Sequence, residues 1–377
     1  MRIVLDARMV KMSGIGRYID SLIPFLASNY SLTLLGNPAH LEKYGAGAGM
    51  VQIISASSKP YSPFEQLELP LKIPPADIFW TPHFNAPVLP VRAAKRIVTV
   101  HDVFHLTGLS KDNILRRSYA RLLYSNAVNR SDLVFTISEY TKKEIERYFP
   151  GLSDKKLKAV RVISRYSDRR FRNLGMNDKE KEDFLSSNSL PSRFALFVGN
   201  IKPHKNIAGL LRAFAIVRKK DPELSLLYVG QKDNFLTGFS GMQGLLESLG
   251  LRDSVFFTGI IDDASLVAIY NSAQVLVLPS FYEGFGLPPL EAMACGCPVV
   301  SSDIPSLREV CMDAALYVNP YSDEEIAGAV LRITADAGGD LRQRLVESGY
   351  KRAGYFSQER IENEYKKSIE SLLGKDN

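Results

Sequence analysis

The sequence alternates short apolar runs with longer amphipathic segments, and the alternation occurs twice along its 377 residues. A short apolar run bounded by turn residues is typical of a buried strand, whereas the longer segments repeat their apolar residues with the period of a helix. Strands joined through helices run parallel, because each helix returns the chain to the same end of the sheet. The sequence therefore predicts an α/β fold with two parallel sheets, each covered by helices on both faces.

The same pattern places the individual elements. Strands are predicted at Arg2–Leu5, Ser31–Leu35, Val51–Ile54, Ile78–Trp80, Ile97–Val100, Leu133–Ile137, Ala195–Val198, Ser225–Val229, Val255–Thr258, Val275–Leu278 and Pro298–Ser301. Helices are predicted near residues 15–28, 113–130, 139–148, 206–219, 241–249, 264–271, 288–295, 323–335 and 340–353. Two such sheets make two Rossmann-like domains, whose ligands are expected in the cleft where the parallel sheets face each other.

Two segments lie outside this alternation. Residues 165–192 are polar and charged and contain no long apolar run, so they are expected to connect the two domains. The last segment, Gln358–Leu373, is amphipathic, with Ile361, Tyr365, Ile369 and Leu372 on one face of a helix.

Basic residues are concentrated in the first half of the chain. Residues 1–188 carry 28 Lys and Arg against 18 Asp and Glu, whereas residues 189–377 carry 19 against 23. A basic half can bind nucleic acid, an anionic membrane surface or a phosphorylated ligand. The chain has no zinc-finger spacing and no RNP-like aromatic motif, so nucleic acid is not predicted as a partner. An anionic membrane surface or an anionic acceptor is expected instead.

The N-terminus predicts a cytoplasmic protein, because Asp6 and Arg8 interrupt the apolar stretch that a signal peptide needs. No apolar run has the length of a transmembrane helix. Three cysteines, Cys295, Cys297 and Cys311, fit a reducing compartment. The Cys295-Gly-Cys297 pair could form a metal or redox site, but its apolar surroundings favour small buried core residues.

Glu283 and Glu291 stand eight residues apart in the segment LPSFYEGFGLPPLEAMACGCPVVSS. A buried strand precedes Glu283, glycines and prolines form a turn, and Glu291 lies in the first turns of the next helix. Free N–H groups at a helix N-terminus bind phosphate, and a carboxylate can accept two hydrogen bonds from a sugar diol. A sugar nucleotide offers both groups. Two glutamates at this spacing are by themselves usually solvated, but the surrounding glycines, prolines and apolar residues favour a site.

This segment closely resembles the E-x7-E motif of family 4 retaining glycosyltransferases, which have the GT-B fold. The motif reads Glu283-Gly-Phe-Gly-Leu-Pro-Pro-Leu-Glu291, and the Ala-Met-Ala-Cys-Gly-Cys-Pro-Val-Val run that is usual in the family follows it. The resemblance implies an N-terminal acceptor-binding domain at 1–180, a C-terminal sugar-nucleotide-binding domain at 181–355 and a helix at 356–377 that crosses back to the first domain.

The resemblance also assigns roles within the motif. Glu283 would bind hydroxyls of the transferred sugar, and Glu291 would bind the nucleotide ribose. The N–H groups of Phe285, Gly286 and Leu287 would hold phosphate or sugar oxygens.

A glycine-rich stretch, Ser13-Gly14-Ile15-Gly16-Arg17-Tyr18, follows the first strand. The dinucleotide fingerprint G-x-G-x-x-G would need a third glycine at Ile19, and no acidic residue ends the second strand, so a dinucleotide is not predicted. Gly14 and Gly16 are expected in a loop whose N–H groups approach an anion, with an ordinary tight turn as the alternative. In the family resembled, a loop at this place contacts the donor phosphate or the acceptor.

His101 and His105 have the i, i+4 spacing of a helical zinc motif. A strand leads directly into His101 and no third ligand is apparent, so no metal is predicted. The resemblance assigns His101 to the catalytic cleft, in contact with the transferred sugar. His105 is expected to be a structural or acceptor-side residue.

The segment Phe197-Val-Gly199-Asn-Ile-Lys202-Pro-His-Lys205-Asn206 follows the first strand of the second domain. The resemblance assigns Gly199 to the donor site and Lys205 to the leaving diphosphate, with a solvated loop lysine as the alternative. Family members usually pair that lysine with an arginine, but this chain has Asn200 and His204 at the corresponding places. Lys202 is the nearest substitute.

Two basic segments are candidates for the membrane or the acceptor. In the stretch from residue 113 to 124, Arg116, Arg117 and Arg121 alternate with apolar residues, which suits either a helix at an anionic lipid surface or an ordinary surface helix. The cluster from Arg165 to Arg172 departs from the family's usual sequence and is a candidate for acceptor binding.

The resemblance implies a retaining hexosyltransferase whose catalytic residues are His101, Lys205 and Glu283. Its expected donor is GDP-mannose or a UDP-sugar, with mannose preferred, and its acceptor a lipid-linked saccharide or oligosaccharide of bacterial O-antigen, capsule or exopolysaccharide. No D-x-D triplet is present, so helix N-termini and Lys205 are expected to balance the diphosphate charge without a metal or a further cofactor. The protein is expected to be peripheral at the inner face of the cytoplasmic membrane.

Two alternatives remain: a sugar-nucleotide epimerase or hydrolase on the same fold, and a non-catalytic sugar-binding scaffold protein. An epimerase or hydrolase would need an additional acid or base beside the donor. A scaffold would be expected to lose some of the residues named above.

Overall fold

The structure is a computed structural model that describes residues 1–45, 51–110, 114–152, 156–160, 170–230, 239–335 and 338–374. Its contacts divide the chain into two units, Met1–Arg165 with Gln358–Asn377, and Tyr166–Ser357. The expected boundary at residue 180 therefore falls inside the second unit. No helix in the described parts of the chain is long and apolar enough to cross a membrane.

The first unit contains a parallel sheet whose described strands run in the order β3-β2-β1-β4-β5-β6-β7. These strands are β1 (Arg2–Asp6), β2 (Ser31–Gly36), β3 (Val51–Ser55), β4 (Ala76–Thr81), β5 (Ala93–Val100), β6 (Leu133–Thr136) and β7 (Leu157–Ala159). All but β7 were predicted, and β7 is too short for its apolar pattern to stand out. The helices between them are α1 (Ser13–Asn29), α2 (Pro38–Gly45), α3 (Glu65–Lys72), α4 (Ile114–Arg130) and α5 (Glu139–Tyr148).

The second unit contains a parallel sheet in the order β10-β9-β8-β11-β12-β13. Its strands are β8 (Phe194–Val198), β9 (Ser225–Val229), β10 (Val255–Gly259), β11 (Val275–Leu278), β12 (Val299–Ser302) and β13 (Leu316–Val318). Its helices are α6 (Asp178–Ser187), α7 (Ile207–Lys220), α8 (Phe239–Ser248), α9 (Asp263–Ser272), α10 (Leu287–Ala294), α11 (Pro305–Cys311), α12 (Asp323–Ala335) and α13 (Asp340–Tyr355). The predicted α/β class with two Rossmann-like parallel sheets is confirmed.

Helix α6 lies within residues 165–192, the segment that was expected to connect the two domains, and the sequence did not predict it. It begins with a capping box, in which the Asn177 side chain accepts from the Glu180 N–H and the Glu180 carboxylate accepts from the Asn177 N–H. Only Leu185 of this helix is buried, so the apolar period that reveals most helices is missing.

The last helix, α14 (Gln358–Leu372), belongs to the first unit. Of its predicted apolar face, Ile361, Tyr365 and Ile369 are fully inaccessible to solvent, and Leu372 near the end of the helix is half-buried. The Tyr365 hydroxyl lies 3.1 Å from the Tyr18 hydroxyl on α1. The helix therefore completes the core of the first unit.

The cysteines are core residues, as predicted. Cys295, Cys297 and Cys311 are buried and form no disulfide with one another. Burial raises the pKa of the Cys297 and Cys311 thiols to about 12, so both remain protonated at neutral pH.

Each sheet reverses its strand order at one place, between β1 and β4 in the first unit and between β8 and β11 in the second. Parallel sheets of this topology bind ligands outside the carboxyl ends of the strands at such a switch point, because the connections there diverge and leave a crevice. A ligand-binding site is therefore expected at the loops that follow these four strands.

Candidate active site

Lys205 and Glu283 meet at the switch point of the second sheet. Lys205 lies in the loop after β8 and Glu283 in the loop after β11, and the Lys205 Nζ is 2.6 Å and 2.7 Å from the two carboxylate oxygens. Only 16% of the lysine side chain and 11% of the glutamate side chain are exposed. An ion pair this poorly hydrated holds both side chains in one geometry.

Local structure brings the two loops together. A 3-10 turn, Pro203–Lys205, follows β8, and the His204 carbonyl accepts a hydrogen bond of 2.8 Å from the Phe281 N–H in the loop after β11. Asn206 then takes the left-handed conformation, at φ 54°, and its side chain caps α7 by accepting from the Gly209 N–H. Lys205 is therefore held at the beginning of α7.

Glu283 has a second partner that the sequence did not identify. The Ser280 hydroxyl donates to Glu283 Oε1 at 2.6 Å. Ser280 is fully buried and comes directly before the turn, so its hydroxyl fixes the carboxylate from the side of the sheet.

The turn after Glu283 leads into α10, which begins at Leu287. Gly286 has φ 132°, which favours glycine, and a Cβ there would lie 2.7 Å from the Leu307 side chain. Among the described residues, the N–H groups of Phe285, Gly286 and Leu287 donate to no other backbone carbonyl. The next two residues are prolines without an N–H, so the donors at this helix end are confined to these positions.

Glu291 lies one turn into α10 and is 3% exposed. Its Oε2 accepts a hydrogen bond of 2.9 Å from the hydroxyl of Tyr270, a fully buried residue of α9. Sequence reasoning did not identify Tyr270, because a tyrosine in an apolar helix gives no signal of its polar partner.

Gly199 ends β8 with φ 153°. Its N–H donates to the Val229 carbonyl at 2.9 Å, and its own carbonyl accepts from the Tyr228 hydroxyl at 2.5 Å. Gly230 ends the neighbouring strand with φ 156°, and a Cβ there would lie 2.0 Å from the Gly199 carbonyl oxygen. The close approach of these two strand ends therefore requires glycine.

A repeated signal could have identified Gly230. Three neighbouring strands end in an aromatic residue, one further residue and a glycine, with the sequences FVG, YVG and FTG at 197–199, 228–230 and 257–259. The Tyr228 ring lies 5.1 Å from that of Phe197 and 5.3 Å from that of Phe257. These rings support the edge of the sheet beneath the loop that leads to Lys205.

His101 directly follows β5 in the first unit. Its Nε2 lies 2.8 Å from the Pro82 carbonyl, and because a carbonyl only accepts, Nε2 carries the proton and Nδ1 is the acceptor. Burial lowers the pKa of His101 to about 4, so the ring is neutral at pH 7. Among the described side chains, no three His, Cys, Asp or Glu residues come together as a metal site requires.

Gly14 and Gly16 correct the expectation of a glycine-rich loop before the helix. Both lie in the first turn of α1, which begins at Ser13. A Cβ on Gly16 would lie 2.6 Å from the Val10 carbonyl oxygen, whereas a Cβ on Gly14 would meet nothing within 4 Å. Gly16 is therefore required by packing, and Gly14 leaves open space at the beginning of the helix.

The remaining candidates from the sequence are Lys202 and the two basic segments. Lys202 is exposed and makes no ion pair with a described residue, and it stays the nearest substitute for the family's second cation. Of the basic cluster at 165–172, residues 165–169 lie outside the described residues, as does residue 113 before α4. Arg170 lies 3.7 Å from Asp263 within the second unit.

The chain matches two protein families in sequence. Residues 12–165 match the family described as Glycosyltransferase Family 4, and residues 178–352 match the family described as Glycosyl transferases group 1. The O-antigen chain mannosyltransferase B of Escherichia coli is 31% identical over 288 residues, which are 75% of this chain and 71% of that protein. The O-antigen chain mannosyltransferase RfbU of Salmonella typhimurium is 30% identical over 275 residues, or 72% and 69%.

Solved structures have the same fold as this chain. Sucrose-phosphate synthase from Thermosynechococcus elongatus has a TM-score of 0.79 over the whole of both chains at 20% identity. Anabaena HepE in complex with UDP-glucose has a TM-score of 0.77 over 98% of this chain and all of that one, at 17% identity. The chain therefore belongs to glycosyltransferase family 4 and has the GT-B fold.

Proposed function

We propose that this glycosyltransferase moves mannose from a nucleotide-diphosphate sugar to a lipid-linked saccharide or oligosaccharide during bacterial O-antigen or related surface polysaccharide synthesis. The relatives named O-antigen mannosyltransferases support the sugar and the process. The observation that carries the proposal is the Lys205–Glu283 ion pair at the switch point of the second sheet, beside the beginning of α10.

The donor fits this site group by group. Lys205 supplies the positive charge for the departing diphosphate, and the N–H groups of Phe285, Gly286 and Leu287 supply neutral donors at a helix N-terminus. Glu283 accepts from hydroxyls of the transferred sugar. Glu291, fixed by the Tyr270 hydroxyl, accepts from the ribose.

The proposed reaction retains the configuration at the anomeric carbon. The bond from that carbon to the diphosphate breaks with its electron pair on the leaving oxygen, and the acceptor oxygen forms the new bond on the same face. The proton of the acceptor passes to the departing diphosphate, so no protein nucleophile is needed. The neutral His101 accepts a hydrogen bond from the transferred sugar through Nδ1.

An anionic membrane surface is proposed as a further partner. Phe64, helix α3 and the first half of α4 carry a set of exposed apolar and basic side chains. We call this the apolar–basic surface, and its exposed members are Phe64, Leu67, Leu71, Ile114, Leu115, Leu122, Arg116, Arg117 and Arg121. Leu71 and Ile114 are 83% and 79% exposed, so water covers side chains that a bilayer interface would bury.

The test is to incubate the protein with GDP-mannose, UDP-glucose or UDP-N-acetylglucosamine and to measure nucleoside diphosphate release with and without a bacterial membrane lipid extract. Release from GDP-mannose that needs the extract and persists in EDTA is expected. Release without the extract indicates hydrolysis, and formation of an epimer without an acceptor indicates an epimerase. Loss of activity in EDTA that manganese or magnesium restores would contradict the metal-independent mechanism.

A further inference from the structure

The switch point of the first sheet carries a buried charged cluster that the donor site does not use. Asp6 ends β1 and His83 follows β4, and His83 Nε2 lies 3.5 Å from Asp6 Oδ2. Arg8 lies 2.8 Å from both the Asp6 and the Glu65 carboxylates. Burial alone would raise the pKa of Asp6, but the charge and hydrogen bonds of Arg8 outweigh it and hold that pKa well below its usual range.

This cluster fixes the loop after β4 and the beginning of α3. The Asn85 side chain donates to Glu65, and the side chains of Asp6, Arg8, Glu65 and His83 are at most 2% exposed. Side chains held by several charged partners keep one geometry. The loop therefore forms a rigid base at the place where a sheet of this topology binds its ligand.

Aromatic rings stand above this base. The Phe84 ring stacks on Tyr124 with the centroids 3.9 Å apart. The Tyr61 ring lies 5.7 Å from Phe84 and 6.1 Å from His83, and the His105 ring lies 5.9 Å from Phe84. Tyr61 is 40% exposed, so part of this aromatic group is open to a ligand.

Tyr61 is held in an unfavourable backbone conformation. Its φ is 68°, which is uncommon for a bulky residue. Partial burial, followed by the charges of Asp102 and Glu65, raises the pKa of Tyr61 to about 12, so its hydroxyl stays protonated and can donate.

Asp102 places a carboxylate beside the rings. It follows His101 directly, its Oδ1 accepts from the Phe104 N–H at 2.9 Å, and its backbone carbonyl accepts from the Tyr124 hydroxyl at 3.0 Å. Tyr124 thus supports both Phe84 and Asp102. The Asp102 side chain is half-buried and retains lone pairs for hydroxyl donors.

We propose that Tyr61, Phe84, His105 and Asp102 form a subsite for a hexose residue of the saccharide acceptor. The apolar C–H face of a hexose packs on an aromatic ring, and its hydroxyls donate to a carboxylate. An aliphatic phospholipid chain would use the rings but not the carboxylate, and a free anion would be repelled by Asp102. The inference rests on the proposed function, because it names the part of the acceptor that the first unit binds.

The test uses transfer to soluble octyl glycosides of mannose, glucose, galactose and N-acetylglucosamine, with the best wild-type acceptor taken forward. Tyr61→Ala and Asp102→Asn are each expected to raise the acceptor KM about tenfold, the scale of one aromatic or charged contact, and to leave the donor KM within about twofold. Tyr61→Phe is the matched control, because it keeps the ring, and its acceptor KM should stay within about threefold of wild type. Circular dichroism checks that each variant is folded.

The outcomes separate the subsite from the proposed function. Unchanged acceptor KM values in folded Tyr61→Ala and Asp102→Asn, with normal transfer by the wild type, would overturn the subsite alone. Equal rises of the donor and acceptor KM would also overturn it, since they would indicate a general structural role. If the wild type transfers no sugar to any glycoside or lipid extract, the proposed function fails and the subsite fails with it.

Discussion

At the scale of single residues, the Lys205–Glu283 ion pair gives each charged group a partner before any ligand binds. A poorly hydrated charge without a partner costs several kcal/mol, so the pair keeps both groups charged and in place. Under the proposed function a sugar nucleotide exchanges these partners, because its diphosphate pairs with Lys205 and its sugar hydroxyls donate to Glu283. The site is thus organised in advance for a ligand that carries both groups.

This exchange predicts different kinetic effects for the two glutamates. Glu283→Gln should lower kcat at least about tenfold, because a charged hydrogen bond contributes about 1.5–3 kcal/mol. Glu291→Gln should mainly raise the donor KM, since ribose is held alike in the ground and transition states. Steady-state kinetics of diphosphate release measure both effects. The control Glu247→Gln, an exposed residue of α8, should change neither constant by more than about twofold, and wild-type kinetics in both site variants would contradict the assignment.

His101 should titrate far from the ordinary histidine range. Its pKa of about 4 lies below the usual 6.5, so the folded protein resists protonation of this ring. The folded state therefore loses stability as the pH falls from about 6.5 towards 4, by about 2 kcal/mol at pH 5 relative to pH 7. NMR titration of the five histidines, with the His101 signal assigned by its loss in His101→Gln, should show a midpoint near 4. A midpoint near 6.5 would show that the ring is hydrated and not buried as described.

At the scale of elements, three aromatic-x-glycine strand ends form the edge of the second sheet beneath the loop to Lys205. Glycine is needed where these ends approach most closely, because a Cβ on Gly230 would overlap the Gly199 carbonyl at 2.0 Å. A backbone atom cannot move aside as a flexible side chain can. The requirement therefore comes from the spacing of strands and not from contact with a ligand.

Gly230→Ala and Gly328→Ala should consequently have opposite effects on stability. Gly230→Ala combines a backbone overlap with a disfavoured φ of 156° and should destabilise the second unit by at least about 3 kcal/mol. Gly328 lies in α12 with nothing within 4 Å of an added Cβ, so alanine there should stabilise by about 0.5–1 kcal/mol. Thermal unfolding of the two variants under one set of conditions measures both shifts. A Gly230→Ala protein as stable as wild type would refute the described strand spacing.

Elements with a strong period were predictable from the sequence, and those without one were not. Strands β9 and β11 and helices α5 and α12 have the predicted bounds, because apolar runs or apolar faces mark them from end to end. Helix α6 was missed because it buries a single residue, and the three-residue strands β7 and β13 were missed because they are too short.

The candidate site likewise contains residues that the sequence marks and residues that only the structure shows. Lys205 and Glu283 were candidates from the sequence because motif spacing and flanking glycines mark them. Ser280, the partner of Glu283, and Tyr270, the partner of Glu291, belong to segments that look like ordinary core, and only the folded chain brings them to the carboxylates. The cluster of Asp6, Arg8 and Glu65 was missed for a related reason, since Glu65 is far in sequence from Asp6 and Arg8.

At the scale of the whole molecule, charge is divided between the halves of the chain, with an excess of ten basic residues before residue 189 and of four acidic residues after it. The apolar–basic surface lies in the first unit and carries three of those basic residues on one helix, α4. Arg117 donates weakly to the Thr107 and Ser110 carbonyls at 3.4 Å, so its guanidinium remains largely available at the surface. Such a distribution favours an orientation in which this unit meets an anionic bilayer.

Vesicle binding should therefore depend on lipid charge, on salt and on α4. Each arginine at an anionic surface contributes about 1 kcal/mol, so Arg116, Arg117 and Arg121 changed together to Ser should weaken binding about a hundredfold. Binding of the wild type should increase with the anionic lipid fraction and fall with salt, since exposed charges are screened beyond about 10 Å at 0.1 M.

The matched control changes Lys219, Lys220 and Lys351 of the second unit to Ser, which removes the same charge, and it should bind vesicles nearly as wild type does. Vesicle flotation and transfer to an octyl glycoside are measured in parallel. Unaltered flotation of the arginine variant with lost transfer to the soluble glycoside would place α4 at the acceptor and not at the membrane, because none of the three arginines belongs to the donor site.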